Sequence, residues 1–319
     1  MLKKVTENIY KLVIHFNSEK YDVNCYLVNG DKGYTVIDTG INTREAQQEW
    51  RNVLDSGFDI HNVILTHTHQ DHIGLAKWFQ QDLGVPVYIF ESGMKEVEKR
   101  RVPGTREKLS LLLKTHGGPG LPVKREEDTF IYDFEPDGLI NENEQIKIGE
   151  DFYEPIWTPG HAPDHFCFYN EEKGIMFVGD HMLKNISPVI GLWTGEESNI
   201  LNDYYNSLDY IKKYQPVVAL PGHGNLIYNF SERISQLESR HNHRLQEVFE
   251  SIKYESKTAY QLCQEVYGDK DLLIAPFMAI LTRLIYLEAA GKIKREISDG
   301  VAVFQATGQR GQVHRPSYG

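Results

Sequence analysis

β-Branched and aromatic residues crowd three early runs, IYKLVI, VNCYLVNG and GYTVIDTG, which are separated by Asn, Asp and Gly. Such apolar runs bounded by turn formers predict a meander of strands. The spacing then changes: Thr43 to Leu54 fits a helix, NVILTH a buried strand, His72 to Leu83 a helix closed by Gly84, and VPVYIF a further strand. This alternation predicts a layered α/β or α+β core. From Met94 to about Asp137 the rhythm breaks into a charged helical piece, a GGPG turn and a polar stretch, which reads as an insertion.

Strand patterns resume with QIKI, DFYEPIWT, HFCFYN and GIMFVGD, and Glu172, Lys173 and Gly174 suit a hairpin turn between the last two. Leu201 to Tyr214 has helical spacing, and PVVALPGHG reads as a strand running into a loop. After Ser231 helical periods dominate. Thr258 with Gln261 makes a capping box, Ala275 to Ala290 carries an apolar stripe ended by Gly291, and KIKREIS-DG-VAVFQ predicts a β-hairpin. Three helices and a hairpin suggest a small winged-helix-like domain over 231–306, following a domain over 1–230 and preceding a flexible, polar tail over 307–319.

Composition narrows the class. With 319 residues, 40% hydrophobic and 25% charged, the chain suits an ordinary globular protein with a sizeable core. It has no apolar run long enough to cross a membrane and no secretory h-region near its start, so a cytoplasmic protein is expected. Three widely spaced cysteines, Cys25, Cys167 and Cys263, exclude a disulfide framework and a CxxC site. A net charge of −11 argues against a general nucleic-acid face. Against that background, Met94 to Arg125 holds nine basic and three acidic residues. This positive island, with Arg100 and Arg101 at its centre, is expected to line the functional cleft and bind the negative part of a substrate.

The densest chemistry is H-x-H-x-D-H, formed by His67, His69, Asp71 and His72 where NVILT meets the next helix. Four potential metal ligands on a strand-to-helix turn can converge on one place. His161 in TPGHAPDH, Asp180 in FVGDH and His223 in LPGHG each end a strand-like run beside glycine, where the backbone can bend to aim a ligand.

Together these residues resemble the metallo-β-lactamase superfamily, with Asp38 in VIDTG as its strand-end Asp and the later Gly-His, Gly-Asp and Gly-His motifs at 161, 180 and 223. The resemblance covers about residues 5 to 230. It implies a four-layer αββα sandwich of the α+β class, with one metal on His67, His69 and His161, a second on Asp71, His72 and His223, and Asp180 bridging both. It gives Asp71 and Asp180 the catalytic roles and makes Asp38 a support that orients ligands without touching metal. The terminal module and the TPGHAPDH and PGHG segments resemble the lactamase-β-like subgroup that includes endoribonucleases.

A pair of bridged cations would present hydroxide near neutral pH and polarise a carbonyl or phosphoryl oxygen, so the expected reaction is hydrolysis. Ligands without thiolate suit zinc first, with manganese or iron also compatible. The expected substrate is an anionic small molecule carrying an ester, thioester or lactone. Single-stranded RNA is the alternative partner, and a winged-helix DNA-binding regulator with a structural metal site is the non-enzyme alternative. The module at 231–306 has ten basic and eleven acidic residues, too balanced for DNA binding, which favours a packing or cleft role. His165 reads either as a supporting or leaving-group donor or as an ordinary hydrogen-bonded strand residue. His181 should point away from the site, His241 and His243 are no metal pair, and Asn24 could reach the site edge.

Overall fold

The structure, a computed structural model, describes residues 2–15, 22–121, 130–268 and 274–307. Lys124 and Arg125 of the basic island, and the tail from 308 onward, lie outside the described residues. No helix among those described is long and apolar enough to cross a membrane. Two compact units emerge, one made of 1–101, 124–188 and 211–233, the other of 102–123, 189–210 and 234–319.

The first unit holds a seven-stranded sheet in sequence order: β1 (Lys3–Lys4), β2 (Ile9–Ile14), β3 (Val23–Val28), β4 (Tyr34–Ile37), β5 (Ile60–Ile64), β6 (Val87–Phe90) and β7 (Gly138–Ile140). The strands run antiparallel from β1 to β4 and parallel from β4 to β7. Helices α1 (Arg44–Asp55), α2 (Gln70–Ile73), α3 (Ala76–Leu83) and α4 (Glu91–Arg101) fall between the parallel strands. The side chain of Thr43 caps α1 by accepting from the Ala46 amide, as its position before the apolar period requires. A second, five-stranded sheet has the order β12-β11-β10-β9-β8, with β8 (Ile146–Ile148), β9 (Asp151–Trp157), β10 (Phe166–Asn170), β11 (Ile175–Gly179) and β12 (Val218–Pro221).

Strand alternation gives the first sheet two apolar faces. Leu12, Cys25, Leu27 and Val63 pack with Trp50 and Phe79 of the helices, while Tyr26, Ile37, Ile64 and Phe90 meet Phe166, Phe168, Phe177 and Leu220 of the second sheet. Phe90 and Phe166 stack with ring centroids 3.7 Å apart. Full burial of each such side chain contributes about 1.5–3 kcal/mol. The first unit by itself therefore supplies helix, sheet and sheet layers of the expected α+β sandwich.

The second unit contains α5 (Thr105–Thr115), the bulk of α6 (Ile200–Ile211) and of α7 (Phe230–Ser251), then β13 (Lys257–Thr258), α8 (Ala259–Tyr267), α9 (Ile274–Ala289), β14 (Ile293–Ser298) and β15 (Val301–Ala306). The capping box between Thr258 and Gln261 is formed at α8. The hairpin turns at Asp299 and Gly300, both with positive φ (51° and 79°), and β13 pairs with β15, which becomes the central strand of the three. That is the backbone twist a two-residue DG turn supplies.

Three expectations need correction. The second unit is not one contiguous stretch after residue 230, because it also recruits 102–123 and 189–210. The basic stretch is consequently split between the units: α4 belongs to the first and α5 to the second. The helix expected over 72–83 is two helices separated at Gly74 and Leu75. A Cβ at Gly74 would lie 2.6 Å from the Asn42 nitrogen and 2.7 Å from the Gly40 oxygen, so the backbones meet there.

Candidate metal centre

The C-terminal ends of β4, β5, β11 and β12 and the β9–β10 connection deliver every candidate ligand to one edge of the sandwich. His67 and His69 follow β5, Asp71 and His72 open α2, His161 lies between β9 and β10, Asp180 follows β11, and His223 follows β12. Two groups result, His67 with His69 and His161, and Asp71 with His72, Asp180 and His223, each with its donor atoms within 4.8 Å of one another. Asp180 Oδ2 is 3.5 Å from His161 Nε2, 3.5 Å from His72 Nε2 and 3.1 Å from His223 Nε2, so one carboxylate reaches both groups. His223 Nε2 also lies 3.3 Å from Asp71 Oδ2. Donors held about 2.0 Å from a tetrahedral ion stand about 3.3 Å apart, which these separations match.

Glycine makes the convergence possible. A Cβ at Gly222 would sit 2.4 Å from Asp180 Oδ1 and 2.7 Å from His72 Cε1. No other residue can precede His223 without displacing both.

A ring of supporting contacts aims the ligands. Asp38, buried at the end of β4 with φ of 61°, accepts from the Thr66 amide and hydroxyl and from His72 Nδ1, each at 2.8 Å. His72 Nδ1 must carry the proton, which turns Nε2 toward the site. Thr39 anchors the same turn: its hydroxyl donates to the His72 carbonyl (2.7 Å) and accepts from the Leu75 amide, while its own carbonyl accepts from Trp50 Nε1. Thr68, between the first two histidines, is gripped on both sides, its amide donating to Asp164 Oδ2 (2.9 Å) and its carbonyl accepting from the Tyr132 hydroxyl (3.2 Å). His223 Nδ1 donates to the Asp22 carbonyl at 2.8 Å. Asn24 donates to the carbonyls of Pro221 and Gly224, bracketing His223, so it does reach the site edge.

His165 is hydrogen-bonded through both ring nitrogens, one of them beside Asp180. Its Nε2 accepts from the Asp180 amide at 3.0 Å, which places the proton on Nδ1, within 2.8 Å of the Thr158 hydroxyl. Both ring nitrogens are occupied, leaving none to serve a leaving group. His243 is exposed beside Glu247, whereas His241 is buried against Tyr204 and Tyr205. The three cysteines are buried and free.

Arg100 and Arg101 separate. Arg101 donates to the carbonyls of Tyr132 and Phe134 and to Glu135, so it braces that segment and is not available to substrate. The Arg100 guanidinium carbon sits 5.4 Å from the Tyr132 ring centroid, beside the Thr68 grip.

The electrostatics are those of a site built to meet cations. Burial, reinforced by neighbouring imidazoles, holds His67 and His69 well below the usual histidine range. Burial opposes charge on His72 and His223 as well, but the surrounding carboxylates, Asp180 foremost, override it and raise both, His223 to about 10. Asp164 is pushed up to about 6 by burial. Nε2 of His67, His69 and His72 and Oδ1 of Asp180 are buried with no hydrogen-bond partner among the described residues. Buried polar atoms are nearly always satisfied; His72 Nε2, 3.5 Å from Asp180 Oδ2, is an orphan that fits coordination to an ion, whereas His69 turns Nδ1 to the site, 2.8 Å from His161 Nε2. Imidazole and carboxylate donors without thiolate make this a site for divalent metal, with no single element specified.

The profile of the metallo-beta-lactamase superfamily matches residues 19–223, a span that contains every one of these groups. The chain belongs to that superfamily. It is 30% identical over 259 residues to the probable metallo-hydrolase YqjP of Bacillus subtilis (strain 168), covering 77% of this chain and 81% of that one. It is 25% identical over 207 residues to the hydroxyacylglutathione hydrolase GloC of Haemophilus influenzae, covering 64% and 87%. A crystal structure of a metallo-beta-lactamase family protein from Thermus thermophilus superposes with a TM-score of 0.82 at 26% identity, covering 95% of this chain and 100% of that one. This superfamily member is a metallo-hydrolase.

Sequence reasoning missed Thr39, Thr66, Asp164 and Tyr132. Thr66 adjoins the candidate ligand His67, a legible signal at a strand end, whereas Thr39 and Asp164 adjoin Asp38 and His165, which are not among the candidate ligands. Tyr132 gave none, since only tertiary contact brings it to Thr68.

Proposed function

We propose that the protein is a binuclear hydrolase of small thioesters whose thiol portion is anionic. The observation that carries the reading is the position of Asp180, whose one carboxylate oxygen faces histidines of both groups. His67, His69 and His161 would hold one divalent ion, Asp71, His72 and His223 the other, with Asp180 between and zinc the first candidate. The bound ions supply Lewis-acid polarisation of the substrate carbonyl and a water that ionises near neutral pH. The chain's own share is geometric. Asp38 keeps the His72 proton on Nδ1 and the Thr66 backbone in place, the Asp164–Thr68–Tyr132 grip fixes the chain between His67 and His69, and His165 sets the backbone of Asp180. Rigid ligands need no reorganisation during reaction, the main source of catalytic advantage in such sites.

Support for a thioester comes from the relative named for hydroxyacylglutathione hydrolysis. We read β13, α8, α9 and the hairpin as a winged-helix-like module with a packing or substrate role.

The test is metal quantification beside a hydrolysis screen of acyl thioesters, lactones and single-stranded RNA, with and without chelator. The expected outcome is about two ions per chain, chelator-sensitive thioester cleavage, and loss of activity with His67→Ala or Asp180→Ala. Chelator-sensitive RNA cleavage without thioester cleavage would replace the substrate reading, and metal-free, fully active ligand variants would end the binuclear one.

A further inference from the structure

A second feature adjoins the candidate ligand His223. Along β2 the side chains alternate: Leu12 and Ile14 enter the helix-facing core, whereas Lys11 lies opposite Tyr26 and Val13 opposite Asn24. Tyr26 packs between the sheets, so Lys11 and Val13 share its face, toward the loop at Pro221–Gly224 that Tyr26 and Asn24 both bond. There they line a cavity of about 320 Å³ with Lys3, His15, Asp22, Asn24, Gly224 and Asn225.

Three observations give this cavity a chemistry. It shares a wall with the metal centre, because Asp22 and Gly224, which line it, flank His223, and the Asp22 carbonyl fixes the His223 ring. Its charge is unbalanced: two lysines and one carboxylate line it, and of that carboxylate Oδ2 lies 2.9 Å from His15 Nδ1 while Oδ1 has no hydrogen-bond partner among the described residues. Burial first, and then the neighbouring charge of Lys3, lowers Lys11 from its ordinary range. Lys11 Nζ spends one of its three N–H donors on the Gly224 carbonyl at 3.0 Å, which points the ammonium along the wall shared with His223.

We infer that this cavity is a subsite for the anionic end of the substrate's thiol portion, a carboxylate or phosphate held by Lys11 and Lys3 while the acyl carbon lies at the metal centre. The inference rests on the thioester reading for its substrate, but the subsite itself is defined by charge and shape. Its volume suits one compact charged group with its linker. It adjoins His223, whereas the Arg100–Tyr132 contact belongs to the grip on Thr68, between His67 and His69.

The experiment is calorimetric binding to the metal-loaded protein of S-methylglutathione, which carries carboxylates and cannot be hydrolysed as a thioester, beside pantetheine 4′-phosphate and uncharged pantetheine. Both anions, or the one whose group the subsite prefers, should bind more tightly than pantetheine, with an affinity that falls as salt is raised. Lys11→Met should weaken anion binding about tenfold, the loss expected for a half-buried charge contact worth about 1.4 kcal/mol. Lys3→Met, which leaves the Gly224 contact and hence His223 untouched, should weaken it about threefold and keeps the test valid if Lys11→Met does not fold. In turnover, the ratio of kcat/KM for a glutathione thioester over the same acyl group on N-acetylcysteamine should fall in both variants. Equal binding of phosphorylated and uncharged pantetheine with none of S-methylglutathione, or anion binding indifferent to both substitutions, would overturn the subsite. Anion binding with no thioester cleaved by wild type would instead leave the subsite standing and remove the function proposed above.

Discussion

At the residue scale the site depends most on a side chain assigned no ligand role. Asp38 satisfies three donors at once, from Thr66 and His72, and adopts a left-handed backbone conformation that few non-glycine residues tolerate. Asp38→Ala should lower metal affinity by about 10–100-fold and reduce kcat/KM in parallel, with little change in fold, read by metal titration and circular dichroism. Unchanged metal affinity would show that the turn holds His72 without it. The candidate ligands were legible because four of them sit in six consecutive residues and the others follow glycine at strand ends. Their supports were less so. Asp38 contacts Thr66 across 28 residues and Asn24 contacts Pro221 across 197, distances over which a local pattern carries no information.

At the element scale, strong periods and caps translated directly into structure. Thr43 caps α1, Thr258 and Gln261 box α8, and the DG dipeptide turns the terminal hairpin. Strands β1, β7 and β13 have only two or three residues each, too few to show a period, and went unread. Gly300 offers a direct test of turn chemistry, because its φ of 79° suits glycine and opposes a β-branched side chain. Gly300→Val should destabilise the protein by about 1–3 kcal/mol in denaturant titration, whereas Gly300→Asn should cost less. Equal costs would mean the hairpin has re-formed around another turn.

A second test at this scale concerns the ties among elements of the second unit. Glu197 accepts from His116 Nε2 at the end of α5, and Arg295 on β14 pairs with both Glu197 and Glu288. The His116 hydrogen bond, and then Arg295, outweigh burial and hold Glu197 down at about 2. A depressed carboxylate stabilises the fold above its unfolded value near 4.5, and that contribution is lost as pH falls toward 2. The wild type should therefore lose more stability than Glu197→Gln between about pH 5.5 and 3.5, measured by urea midpoints. Parallel pH profiles would show the network to be energetically idle.

At the scale of the whole molecule, the division into units was the least legible feature. Sequence order suggested a boundary near residue 230, yet α5 and α6 lie far upstream of the helices with which they are grouped. The basic island and the GGPG turn mark the α5 segment as unusual, but they do not say which later helices it joins. Truncation after Asn229 should for this reason fail to leave an intact catalytic body. It strands Leu112 and Leu113 of α5 and Tyr204, Tyr205 and Leu208 of α6, all buried in the full chain. The expected outcome is insoluble or aggregating protein, judged by size-exclusion chromatography, and a soluble, monodisperse and active fragment would contradict it.

The same interleaving has a consequence for how the protein is made. Every residue of the candidate metal centre has been synthesised by His223, but the partners of α5 and α6 continue to β15, which ends at Ala306. At about 5–20 residues per second the ribosome needs roughly 4 to 17 seconds to supply them. During that interval the nascent chain exposes apolar helix faces already outside the exit tunnel, a target for chaperones and for premature association with neighbouring chains. Pauses before α5 is made should matter little to yield, whereas pauses between 116 and 306, with α5 made and its partners incomplete, should increase misfolding.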